Sequence, residues 1–367
     1  MELSDQAKLL NLSCYLYLLT LTYDTDNNYF VNVTTGGFGL RFDSEQQNKF
    51  VCGLMNSSLL DAYLKQVSTN FRGGYFAANK QFLDKLPIKL VDPKNKREVK
   101  LEKEIVEDVE AIQAAHKQRL KLPEVLSRLI AHDANRVDCK LAHYLQKDFA
   151  SAVQSEILMN DVQRTGFVHE IQIESEGGTG HRPVPSGDPP DGTGSAPARK
   201  QRGAAGMSST SISSGGSPAE AGGSPALPTL TLTAVVTEKP ADKPRALPIL
   251  RLTFKDEALR QFIYASWRQF LNENSRKQKW TKGKKPEPIY PLIVNTLEPL
   301  VYFNASAGDN LRAIRDLMTS VATEAGSADL AAIESEIKKL DAEIDVRVYE
   351  LYGLTEAEIK IVEDAAT

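Results

Sequence analysis

Apolar residues near the C-terminus follow one another at helical spacing. Ile333, Ile337, Leu340, Ile344, Val348 and Leu351 stand 4, 3, 4, 4 and 3 apart, a single stripe on one helix. Gly353 sits where a helix-ending glycine belongs, and Thr355 with Glu358 has the capping-box spacing that opens a further short helix. The same periodicity appears at Leu101, Ile105, Val109 and Ile112 among dense mixed charge, predicting a helix over 98–121. Pro123 is expected to end that helix and start another. A third helix is read from about Asp138 to Met159 on Leu141, Leu145, Phe149 and Val153. Residues 45–67 read as one helix with Phe50, Leu54, Leu59, Leu60 and Leu64 inward, and 255–273 as another on Leu259, Phe262, Ile263, Trp267 and Phe270. Strict alternation over Phe167–Glu174, and the runs Thr229–Val236 and Ile249–Phe254, predict strands. The expected class is α+β, with long helices of spacer or coiled-coil character.

Between Val168 and Thr253 there is no Phe, Trp or Tyr, and 176–227 is mostly Gly, Ser, Pro and Ala. A stretch with so little apolar surface cannot offset an ordering cost of about 1–2 kcal/mol per residue, so it is expected to be a disordered linker. The remaining boundaries follow the pattern: an apolar segment 1–22, a mixed domain 23–93, a helical region ending in a strand 94–175, an α+β segment with a basic loop 228–327, and amphipathic helices 328–367.

The chain has 367 residues with 44 Lys+Arg against 48 Asp+Glu, a net charge of −4, which excludes a uniformly basic coat but not local basic patches. Three cysteines, Cys14, Cys52 and Cys139, are too few and scattered for a disulfide framework, as in a reducing cytoplasm. The apolar run Leu9–Leu21 has 13 residues, short of the roughly 20 a bilayer span needs. Glu2, Asp5 and Lys8 precede it where a secretory leader carries positive charge. No membrane association is expected, and a cytoplasmic location is.

Signals of catalysis are weak. GGFG (Gly36–Gly39) reads as a structural glycine turn, because no strand–turn–helix with a downstream acidic ribose ligand surrounds it. GDPPDG (Gly187–Gly192) places Asp191 where the base-stacking aromatic of an amino-methyltransferase motif belongs. His132, Cys139 and His143 lack a further ligand and read as ordinary helix residues. No catalytic residue, cofactor site or metal site is assigned.

Binding features are better supported. Arg276, Lys277, Lys279, Lys282, Lys284 and Lys285 surround Trp280 with no acid among them. Residues 251–290 hold ten cations and four acids, a net +6, whereas 311–367 hold six cations and thirteen acids, a net −7. Such segregation suits a phosphate-contacting loop on an acidic body; the alternative is a solvated loop. Lys65, Asn70, Arg72, Asn79, Lys80 and Gln81 form a second candidate surface, since these long donors reach base edges and phosphates beside glycines that permit close approach.

The segment VCGLMNSSLLDAYLKQVSTNFRGGYFAANKQFLDKLPI (Val51–Ile88) resembles the TaqI-like C-terminal specificity domain of type II restriction-modification enzymes and adenine-specific DNA methyltransferases. The shared pattern is Asn56, Ser57, Leu59, Leu60 and Tyr63 on a helix, Gly73–Gly74 before Tyr75 and Phe76, then Gln81–Phe82 and the exit Leu86–Pro87–Ile88. Asn56, Tyr63 and Phe82 read as capping and packing positions. Ile344–Glu363 is similar to the closing helices of the same enzymes. The resemblance covers about Tyr23–Val91 and the last 35 or so residues.

It implies a small mixed α/β target recognition domain that reads a short sequence in double-stranded DNA and positions a methyltransferase, sometimes with a nuclease, upon it. The S-adenosylmethionine loop and the Asn-Pro-Pro-aromatic motif of that family are not found in this chain. The expectation is therefore a specificity module without its own chemistry (a separate subunit, a truncated product or a fragment), with cofactor and catalysis in a partner domain or subunit. Alternatives are an adenine methyltransferase label inherited from a full-length parent, and a helical interaction scaffold.

Overall fold

Helices and antiparallel strands share the chain, in the α+β manner the pattern predicts. The structure is a computed structural model that describes residues 10–13, 15–16, 21–23, 37–40, 42–69, 76–78, 80–132, 137–139, 149, 151–176, 227–239, 241–275, 285–296, 300–302 and 307–366. In chain order the elements are β1 (Leu10–Ser13), β2 (Tyr15–Leu16), β3 (Thr22–Tyr23), β4 (Gly37–Leu40), α1 (Glu45–Met55), α2 (Ser58–Val67), β5 (Phe76–Ala77), α3 (Lys80–Leu83) and α4 (Lys96–Ala131). There follow β6 (Val137–Cys139), β7 (Val153–Ile157), β8 (Thr165–Glu176), β9 (Thr229–Thr237), β10 (Arg245–Phe254) and α5 (Glu257–Ser275). The last are β11 (Glu287–Pro288), α6 (Ile289–Thr296), β12 (Leu300–Tyr302), α7 (Ala307–Ala325), α8 (Leu330–Tyr352) and α9 (Glu356–Ala366). Two units emerge: one from 1–140, 261–276 and 297–367, the other from 141–260 and 277–296.

The first unit is built on helices whose ends are closed by their own side chains. Ser44 accepts from Gln47 N to open α1, and buried Asn48 ties itself to the main chain of Phe42 and Ser44. The expected helix 45–67 is in fact two. Ser57 donates to Leu54 O and accepts from Leu60 N, so one hydroxyl ends α1 and caps α2. Asn56 holds Leu21 by both main-chain groups, and Phe82 is buried; Tyr63, expected to pack, is 37% exposed.

The helix expected to stop at Pro123 runs on: α4 spans 36 residues with Pro123 inside it. Loss of one helical hydrogen bond there is outweighed by the buried flank Leu122, Val125 and Leu126. Phe50, Leu54, Ile105, Val109, Ile344 and Val348 join α1, α4 and α8 in one core. Gly53 permits this approach, since a Cβ there would stand 2.5 Å from Ile105 Cγ2 and 3.1 Å from Val109 Cγ2. Gly53→Ala is therefore expected to destabilise this unit by about 1–3 kcal/mol, despite alanine's better helix propensity. Urea unfolding followed by helical circular dichroism checks it; an unchanged or raised midpoint would place the helices further apart.

At the C-terminal end the sequence expectations hold in detail. α8 buries the predicted stripe, Gly353 adopts φ 70° as its cap, and Thr355 and Glu358 exchange the capping-box hydrogen bonds.

The second unit carries a five-stranded antiparallel sheet in the order β11-β8-β9-β10-β7. Leu230, Leu232, Ala234 and Val236 of β9 alternate inward, flanked by Val168, Ile171 and Ile173 of β8 and by Leu250, Leu252 and Phe254 of β10. Pro248, which has no N–H to give, lies at the bulge of β10 and beyond its ladder with β7. Buried Arg260 pairs with Glu257 and donates to Ser175 Oγ at the end of β8.

Other local expectations change. The helix read over 138–159 is not formed at its ends: Val137–Cys139 pairs with Leu300–Tyr302, and Val153–Ile157 pairs with β10. Val153, one of the apolar residues spaced for that helix, pairs instead with Phe254 of β10, while Leu141 and Leu145 lie outside the described residues. Gly37–Gly39 of the GGFG string, with Leu40, form a strand paired to Leu10–Ser13 rather than a turn, and Gly36 lies outside the described residues. Residues 177–226 of the expected linker lie outside the described residues. Among the described residues, no helix is long and apolar enough to cross a membrane.

Candidate nucleic-acid interface

The first candidate surface lies on α2, α3 and the strand between them. Phe82, buried in the helical core, anchors α3 and leaves Lys80 and Gln81 exposed on its first turn. Lys85 Nζ stands 5.4 Å from the centroid of the Phe82 ring, a further cation held beside them. Lys65 is differently placed: its Nζ is 2.8 Å from Oδ2 of buried Asp61, so its charge is engaged on its own helix. Asn70, Arg72 and Asn79 lie outside the described residues. The two flanks of the 70–75 segment, however, are tied together, because Ala77 N donates to Thr69 O and Ser68 Oγ donates to Ala77 O.

Of the basic loop, Lys285 is described and exposed; Arg276, Lys277, Lys279, Trp280, Lys282 and Lys284 lie outside the described residues. The structure therefore brings Lys80 and Gln81 together and leaves the other candidates unplaced or, for Lys65, paired.

Behind this surface stands a clasp that local sequence gave no sign of. Asp345 of α8 accepts from Ser58 N at 2.8 Å and from Ser58 Oγ at 2.7 Å, capping the start of α2. Tyr352 donates to Pro87 O at 2.7 Å and accepts from Lys89 N at 3.0 Å, holding the exit of the Leu-Pro-Ile segment. Burial raises the Asp345 carboxyl, against the lowering effect of the two Ser58 bonds, and burial together with the Asp345 charge raises Asp341. Burial, with that same charge, pushes the Tyr349 hydroxyl up to about 12.

A shallow cavity of about 450 Å³ lies between α1 and α4, lined by Glu45, Gln46, Lys49, Val99, Lys103, Val106, Glu107 and Glu110. Lys49 bridges Glu45 and Glu110 across it, so its charges are mutually satisfied. Cys139, read as an ordinary helix residue, stands instead in strand β6; His143 lies outside the described residues. Among the described residues, no three His, Cys, Asp or Glu side chains converge as a metal site would require. Compared with known family models, curated proteins and solved structures, the chain matches none.

Proposed function

We propose that this chain is a DNA sequence-recognition module of a restriction-modification or adenine-methyltransferase system, working with a catalytic partner that supplies S-adenosylmethionine chemistry. One observation carries the reading. The two stretches that resemble the specificity domain, Val51–Ile88 and Ile344–Glu363, are far apart in the chain yet share one core and are clasped at Ser58–Asp345 and Pro87–Tyr352. A chance likeness of two separate segments has no reason to assemble into one body. In this reading α3 presents Lys80 and Gln81 to base edges or phosphates, Arg72 and Asn70 act from the adjacent segment, and the long helices act as a spacer or a dock for the partner.

The test is selection from randomised duplexes by the purified chain across a salt series. Enrichment of one short sequence is expected. Lys80→Ala and Gln81→Ala are each expected to weaken binding to it by about 1–3 kcal/mol where the side chain makes a base contact. Binding without any sequence enrichment, at every salt concentration, would overturn the proposal and favour a helical scaffold.

A further inference from the structure

The outer edge of β8 is open over most of its length. On one side β8 pairs with β9 from Phe167 to Glu176, whereas on the other β11 reaches only Thr165 and Gly166. The cause is local: Pro286 has no N–H to extend that ladder, and the chain bends at Lys285. From His169 to Glu176 no strand pairs with this side of β8 among the described residues. In an antiparallel strand every second residue turns its N–H and C=O away from the neighbour already paired. This stretch therefore offers a row of main-chain donors and acceptors to a further strand.

The charges along this edge are of one sign. Ile171 and Ile173 are buried on one face, and Glu170, Glu174 and Glu176 stand exposed on the other, with Gln172 half-buried among them. No Lys or Arg occurs in β8. Glu170 accepts from Gln172 Nε2, and none of the three acids makes an ion pair among the described residues. The two arginines of the sheet's strands, Arg245 and Arg251, are engaged elsewhere, with Glu238 and Glu156. Native sheets close an edge with proline, a bulge, an inward charge or a very short strand. Between Ile171 and Glu176 β8 has no proline and no inward charge, and its bulge lies before that stretch, between Val168 and Glu170. Exposed charge is the device present, and a row of a single sign repels acidic strands while drawing basic ones.

We infer that the His169–Glu176 edge of β8 is a docking strand for an extended basic segment of a partner protein, which joins the sheet as an added strand. Main-chain hydrogen bonds supply the attachment, and Lys or Arg at alternate positions of the incoming segment face Glu170, Glu174 and Glu176. A second copy of this chain does not fit the same edge, since β8 against β8 sets acids against acids. Duplex DNA is kept from it by like charge. The inference is independent of the recognition reading, because nothing in it requires DNA.

The experiment titrates the intact chain with three fluorescent synthetic peptides across a salt series, read by anisotropy. The first is Lys-Val-Lys-Val-Lys-Val-Lys, and the second carries Glu in place of each Lys. The third is the first N-methylated at every residue, which keeps the charge and removes every main-chain donor. The first peptide is expected to bind and to slow hydrogen exchange in β8 beyond Val168. N-methylation is expected to weaken binding about tenfold or more, because the added ladder is lost. In Glu174→Lys/Glu176→Lys the Lys peptide is expected to bind about tenfold more weakly and the Glu peptide to bind instead, as cross-strand attraction becomes repulsion. Glu102→Lys/Glu124→Lys, on α4, is the control for bulk charge, and circular dichroism establishes that each variant is folded.

Equal binding of the N-methylated peptide overturns strand addition, because charge alone would then suffice. An equal loss in the Glu102/Glu124 control overturns the assignment to this edge. No binding of the Lys peptide by the intact chain at any salt overturns the docking strand and leaves the acids of β8 as guards of a closed edge. If binding then appears in Lys277→Gln/Lys279→Gln/Lys282→Gln, the chain's own basic segment is the occupant and the partner is struck out.

Discussion

Replacing Ile105 by alanine is expected to lower the stability of the helical unit by about 2–5 kcal/mol. Ile105 is fully buried, and its Cγ2 occupies the space that the missing side chain of Gly53 leaves open. Around it lie Phe50 and Leu54 of α1 and Ile344 and Val348 of α8. Truncation removes three carbons from the place where helices from three parts of the chain meet, and a close-packed interior relaxes only partly into the void. Ile105→Val removes a single methylene and should cost about 0.5–1.5 kcal/mol. Urea unfolding gives both values, and hydrogen exchange in α1, α4 and α8 should rise together in the alanine variant. A loss below 1 kcal/mol for alanine, or faster exchange confined to α4, would mean that the two resembling segments do not depend on a common core. Support for the recognition reading would go with it.

Glu334→Ala is expected to cost about 2–4 kcal/mol, less than for a fully buried ion pair because a third of Arg268 is exposed. The Glu334 carboxylate accepts from Tyr264 Oη at 2.5 Å and is held in a fork by Arg268, with Nε at 3.1 Å and Nη2 at 2.8 Å. Without it, a buried hydroxyl and a half-buried guanidinium lose their acceptor together. Glu334→Gln keeps one acceptor oxygen and should recover part of the loss.

The pH dependence gives a second readout. Burial, and then the Glu334 charge, raise Tyr264 far above its ordinary pKa near 10. The folded state therefore keeps a proton that the unfolded state releases above about pH 10. This group's contribution is intact below that pH and is lost as pH rises further. In Glu334→Ala the tyrosinate band of Tyr264 should appear at lower pH than in the intact chain. The same titration curve in both proteins would show that the contact does not form.

Much of the molecule was legible because the relevant interactions are local. The α8 stripe, its Gly353 cap and the Thr355–Glu358 box depend on residues three or four positions apart, and they stand as read. So do β8, β9 and β10, whose alternation marks one buried face. Errors arose where a local pattern met a distant partner. At both ends of 138–159 the helical reading gave way to strand pairing, with residues 300–302 and 250–254, and Pro123 failed to stop α4 because its neighbours are buried. Conversely, the break at Ser57 is a local feature that an uninterrupted apolar stripe concealed.

For the candidate interface, residue types and their order carried the idea, and the structure distinguished among the residues. Lys80 and Gln81 stand exposed on an anchored helix, whereas Lys65 is spent on Asp61. By itself the sequence determined the mixed class, the closing cap of α8 and the opening box of α9, the sheet's core strands and the segregation of charge, since propensity, capping and periodicity act over a few residues. Tertiary structure alone decided that Asp345 caps α2 and that Tyr352 holds Pro87, bringing two remote stretches into one core. Those contacts span 287 and 265 residues, and no local pattern encodes which distant surface a buried face will meet.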